Sequence, residues 1–67
     1  MTLYELLIRT LRTVNVTVTI AVFGTRFSRT KTCEQWCADK SCELLSCQIR
    51  YIEVIKGGIE IEVERGK

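Results

Sequence analysis

A chain of 67 residues encloses one modest core, so it reads as a single domain over 1–67 that packs tightly or gains stability from a partner or a second copy. With 46% hydrophobic and 27% charged residues, no proline and no low-complexity run, the composition excludes a disordered chain. A net charge of +2 excludes binding to nucleic acid or membrane by bulk positive charge, although the charge is two-sided. Arg9, Arg12, Arg26, Arg29 and Lys31 face only Glu5 through Thr32, whereas the remainder is acidic on balance.

The opening Thr2-Leu3-Tyr4-Glu5 has the form of a capping box, and Leu3, Leu6, Leu7 and Leu11 recur at helical spacing, which predicts an amphipathic helix reaching toward Arg12. Val14, Val16, Val18, Ile20 and Val22 then alternate with Asn15, Thr17, Thr19 and Ala21, the period of a half-buried strand. That stretch is about half the length of a membrane span. Arg9 and Arg12 interrupt the place where a signal peptide would be apolar, so a cytoplasmic protein is expected. Asn15-Val16-Thr17 matches a glycosylation sequon, which has no meaning in a cytosolic strand.

Gly24 marks a turn, and Thr25 to Thr30 alternates weakly around Phe27 as a short edge strand. Thr30 or Thr32 can cap a short helix holding Cys33, Trp36 and Cys37, and Ser41 with Leu44 and Leu45 suggests another helical turn. Gln48 to Ile55 and Ile59 to Glu64 are β-rich runs separated by Lys56-Gly57-Gly58, a hairpin signal. A two-residue Gly57-Gly58 loop with positive φ at both glycines sets Lys56 against Ile59, Val54 against Ile61 and Ile52 against Val63, and leaves Glu53, Glu60, Glu62 and Glu64 on the solvent face. The expected fold is α+β: an N-terminal helix and a short middle helix on a three- to four-stranded antiparallel sheet ending in a β-hairpin. Phe23, Ile49 and Tyr51 hint that the uncovered face is partly apolar, which a second copy could bury.

Cys33, Cys37, Cys42 and Cys47 follow a C-x3-C-x4-C-x4-C spacing that lacks the short C-x2-C knuckle of structural zinc sites. Buried or partly exposed thiols are the simpler reading, with a four-thiolate zinc module as an alternative. There is no histidine to act as general base and no Gly-rich phosphate loop, so neither an enzyme nor a cofactor is expected. Arg26, Phe27, Arg29 and Lys31 form the best candidate binding feature: cations and hydroxyls that could grip phosphate or acidic groups, beside one aromatic face.

Two stretches resemble a broad group of short α+β proteins encoded by bacteriophages and mobile elements. These are Met1-Thr2-Leu3-Tyr4-Glu5-Leu6-Leu7 with the strand Val16-Thr17-Val18-Thr19-Ile20-Ala21-Val22, and Glu43 to Val54 with its hairpin into Ile59-Glu60-Ile61-Glu62-Val63. The resemblance carries no site residue over, and residues 25–41 depart from it. It implies a setting in which a phage protein without catalytic residues occupies a host protein, as an anti-defence inhibitor such as an anti-CRISPR does. The expectation is therefore a small non-enzymatic protein in stoichiometric association with a host protein. The alternatives are a homo-oligomeric sponge for a phosphate-bearing nucleotide, or the zinc module.

Overall fold

The computed structural model describes residues 1–64. In chain order it contains helix α1 (Leu3–Leu7), strands β1 (Asn15–Val22) and β2 (Thr25–Thr32), helix α2 (Cys33–Ala38), a 3₁₀ turn (Glu43–Ser46), and strands β3 (Gln48–Ile55) and β4 (Gly58–Glu64). The strands form one sheet in the order β2-β1-β4-β3. The two hairpins, β1–β2 and β3–β4, are antiparallel, but they are joined through β1 and β4, which run parallel. The sheet is therefore mixed, where the sequence pattern led to an all-antiparallel expectation. The reason lies in the connection: α2 and the 3₁₀ turn carry the chain back over one face, so β3 starts at the end of the sheet where the β1–β2 turn lies, and β4 then runs in the same direction as β1.

The α+β class, the two short helices and the closing hairpin agree with expectation. Helix α1 does begin at a capping box, with Thr2 accepting from the Glu5 amide and Glu5 accepting from the Thr2 amide. The Thr2 interactions also hold the Glu5 carboxyl below its usual range. The helix is shorter than its leucine spacing predicts. Arg9 N–H bonds to Leu6 C=O, Thr10 N–H to Leu7 C=O, and the Thr10 hydroxyl also takes the Leu6 carbonyl, so the chain tightens and turns away. Leu11 is consequently left 76% exposed outside the stripe.

The core lies on one face of the sheet. Register places Val16 beside Ile59, Val18 beside Ile61 and Ile20 beside Val63, forming an apolar surface across the two central strands. Leu3 and Leu7 of α1, Cys33 and Trp36 of α2, and Leu45 cover it. The Trp36 indole N–H donates to the Val16 carbonyl at 2.9 Å, fixing α2 on β1.

The other face is polar rather than partly apolar. Thr17 and Thr19 exchange hydroxyl hydrogen bonds with Thr30 and Ser28, and Arg26 reaches across β1 to Glu62 at 2.6 Å. Tyr51 donates to Glu53 on that face, which raises the phenol above its usual range. Ile49 instead packs against the core, and Phe23 is fully exposed at the β1–β2 turn.

The closing hairpin differs from expectation in register. Ile55 faces Gly58, so the two-residue loop is Lys56-Gly57, with Val54 opposite Ile59 and Ile52 opposite Ile61. Of the two glycines only Gly57 has positive φ, +87°. A slip of two residues keeps every side chain on its face, so hydrophobic matching alone does not separate the two registers. Gly58 is used differently: a Cβ there would sit 2.1 Å from the Asn15 carbonyl oxygen of β1.

Candidate partner-binding edge and groove

Strand β2 forms one edge of the sheet. Its pairing partner β1 lies across the tight Phe23-Gly24 turn, in which both residues have positive φ, as a type I′ hairpin needs. Val22 faces Thr25 across that turn. The pair flanking such a turn is hydrogen-bonded, and alternation then directs the backbone N–H and C=O groups of Arg26, Ser28 and Thr30 away from the sheet. These groups form a row able to receive another strand.

The same alternation divides the candidate residues. Phe27, Arg29 and Lys31 face Ile20, Val18 and Val16 and share their face, while Arg26 lies on the opposite face in its ion pair with Glu62. The four residues are therefore not one cluster. Arg26 ties β2 to β4 over the hydroxyl ladder, and the other three line a groove of about 290 Å³ between β2 and the segment that follows it. Val18 and Ile20 form part of its floor, and Asp39, Cys42 and Leu44 close the far side. Phe27 stands 57% exposed at the rim.

The cations are held differently. The Lys31 ammonium lies 4.8 Å from the Trp36 ring centroid, a cation–π contact that anchors it over the core. Arg29 occupies the same groove on an exposed stretch of β2. Apolar floor, rim aromatic and paired cations together suit an extended segment carrying both apolar and acidic side chains. Trp36, Asp39 and Leu44 are not among the candidate site residues read from the sequence, and Cys42 is one only as an alternative metal ligand. Strand parity would have placed Phe27, Arg29 and Lys31 on the Val16–Val18–Ile20 face, but the position of α2 was not readable locally.

The four thiols are not gathered into a single ligand set. Among the described residues no group of three or more His, Cys, Asp or Glu side chains is arranged to hold a metal ion. Cys33 is buried beneath α1 and donates to the Leu7 carbonyl at 3.1 Å, and burial pushes its thiol up to about 11. It shares a hollow with Cys37, Arg12 and Glu34, whereas Cys42 lines the β2 groove and Cys47 is buried at the start of β3. Of Cys33, Cys37, Cys42 and Cys47, the four residues of the alternative zinc reading, the structure places the first two together in that hollow and the other two apart from it. None of the four is disulfide-bonded.

Among the described residues no helix is long and apolar enough to cross a membrane. No family model, no curated protein and no solved structure matches the chain.

Proposed function

We propose that the chain is a small non-enzymatic binding protein that associates stoichiometrically with a host protein in the bacterial cytoplasm, receiving an acidic extended segment of that protein at β2. The observation that carries this reading is the edge itself: eight residues, three cations and no acid, with outward backbone groups beside an apolar groove. Strand addition draws affinity from backbone hydrogen bonds and specificity from pockets that take alternate side chains. Here one groove-facing position of the added strand would be apolar, contacting Phe27 and Leu44, and the groove-facing positions two and four residues along would carry carboxylates that meet Arg29 and Lys31 on the same face. The resemblance to phage proteins makes a host defence protein the candidate target. Cys33, the most buried thiol, is held protonated, which suits a structural role better than a nucleophilic one.

The nucleotide sponge is the weaker reading because Arg26 is committed to Glu62 on the other face, leaving Arg29 and Lys31 as the cations beside Phe27. The test uses a labelled six-residue probe with one Val and two Glu at every second position and Thr between them, followed by fluorescence anisotropy. The acidic probe should bind and weaken with salt, and Arg29→Glu with Lys31→Glu should lower its affinity at least about tenfold, as loss of two charge contacts implies. Ser28→Pro, which removes one outward N–H from an edge strand, should also weaken it. Equal binding of an otherwise identical probe with Lys in place of both Glu would refute strand addition by charge. A nucleotide-sized adduct retained in native mass spectra and lost with Arg29→Glu would put the sponge in its place.

A further inference from the structure

The opposite edge of the sheet has different chemistry. On β3 the Ile49 amide is bonded to the Met1 carbonyl and Leu3 N–H to the Cys47 carbonyl, so the amino-terminal residues cover the start of the strand. A bulge follows between Ile49 and Tyr51, and the Lys56-Gly57 turn closes the other end. An open window from Tyr51 to Ile55 remains, symmetric about Glu53. Because Ile55 and Gly58 flank a two-residue turn, alternation points the backbone groups of Ile52 and Val54 outward. Their side chains lie on the covered face, opposite Ile61 and Ile59, yet the helices do not reach them: Ile52 is 46% and Val54 82% exposed.

We infer that β3 pairs antiparallel with β3 of a second copy about a two-fold axis through Glu53. That register sets Ile52 against Val54 of the second copy, and Val54 against its Ile52, so both outward residues of each strand find apolar partners and four backbone hydrogen bonds form. The contact is isologous and closes at two chains. The β2 edge does not suit the same use, since self-pairing would bring three cations from each chain together with no acid on either strand. On β3 the single unfavourable element is the pair of Glu53 carboxylates facing each other on the polar side, beside Tyr51 and Glu60. That element labels the register.

Sedimentation equilibrium on the whole chain under reducing conditions tests the pairing. The expected result is a reversible species of twice the 7.7 kDa chain mass. Val54→Lys, at a mostly exposed position, should make it monomeric with an unchanged far-UV spectrum, whereas Ser28→Pro on β2 should leave the dimer intact. Glu53→Gln should tighten it about two- to five-fold, the scale of one like-charge cross-strand pair. Hydrogen exchange at the Ile52 and Val54 amides should slow with concentration in the wild type and not in Val54→Lys. A monomer at about 1 mM, where even a weak pairing of roughly 4 kcal/mol is half formed, overturns the inference. So does a dimer unaffected by Val54→Lys or abolished by Ser28→Pro, or an assembly that grows beyond two chains. Glu53→Gln weakening the dimer overturns the register.

Discussion

Replacing Gly58 by alanine should be far more damaging than the same change at Gly57, although the two glycines are neighbours in one hairpin. At Gly57 the backbone has φ +87° and nothing lies within 4 Å of an added Cβ, so the cost is that of a left-handed alanine, about 1–2 kcal/mol. At Gly58 the backbone is ordinary, but the new Cβ would lie 2.1 Å from the Asn15 carbonyl oxygen and 3.0 Å from its carbon. Both atoms are backbone in a central strand, so no side-chain rotation relieves the overlap, and β1 must separate from β4 where their parallel pairing begins. Forced separation of two central strands costs roughly 3 kcal/mol or more, on the scale of the larger single-site losses. A domain of this size commonly has only about 3–10 kcal/mol in total. Urea unfolding followed by the fluorescence of Trp36, buried and the single tryptophan of the chain, measures both variants. A Gly58→Ala cost equal to or below that of Gly57→Ala would refute the close approach of β1 and restore the loop in which the two glycines are equivalent.

Trp36→Phe removes the bond to the Val16 carbonyl and part of the largest fully buried side chain, which should cost about 2–3 kcal/mol by circular dichroism in urea, and a cost under about 0.5 kcal/mol would contradict the anchoring of α2. Thiol titration of the native protein should modify Cys37 and Cys42, which are partly exposed, while Cys33 and Cys47 react only on denaturation. Because the folded Cys33 thiol titrates near 11 rather than 9.0, the unfolded chain releases its proton first as pH rises. Cys33 therefore has no effect on stability below pH 9 and lowers it between 9 and 11, with a slope of up to about 1.4 kcal/mol per pH unit; Cys33→Ala should remove that contribution and leave the alkaline loss that comes from the raised Tyr51 phenol.

What was legible in the sequence is what short-range physics encodes. Thr2 with Glu5 marks one helix start, and Thr32 with Gln35 forms the corresponding box at α2. The alternation from Val16 to Val22 marks a strand because each side chain contacts the same face as its second neighbour. Leu11 misled because helical spacing records which residues could share a face, not where Thr10 diverts the Leu6 carbonyl. The parallel pairing of Asn15 with Gly58 was illegible because its determinant is the route of the intervening chain, and its trace in the sequence is a glycine that could equally serve a turn. The candidate site was half legible for a related reason. Composition singled out Arg26, Phe27, Arg29 and Lys31, but strand parity and the ion pair to Glu62 decide which of them act together.

The two-hairpin order also determines how the proposed activities combine. Placing β1 and β4 at the centre gives them the apolar core and leaves β2 and β3 as edges, so each edge strand is selected mainly for what it meets outside. Pairing through β3 would join two four-stranded sheets into one, with the two β2 edges at its outer limits. At about 4.8 Å per strand spacing, seven gaps separate those edges by roughly 34 Å. Neither edge then obstructs the other, and the dimer offers two acid-seeking edges in fixed opposition. A target with a single acidic segment would gain nothing from this arrangement. A two-fold target, or one with two such segments about that far apart, would be held by both, and its affinity would fall steeply with Val54→Lys although that residue is remote from β2.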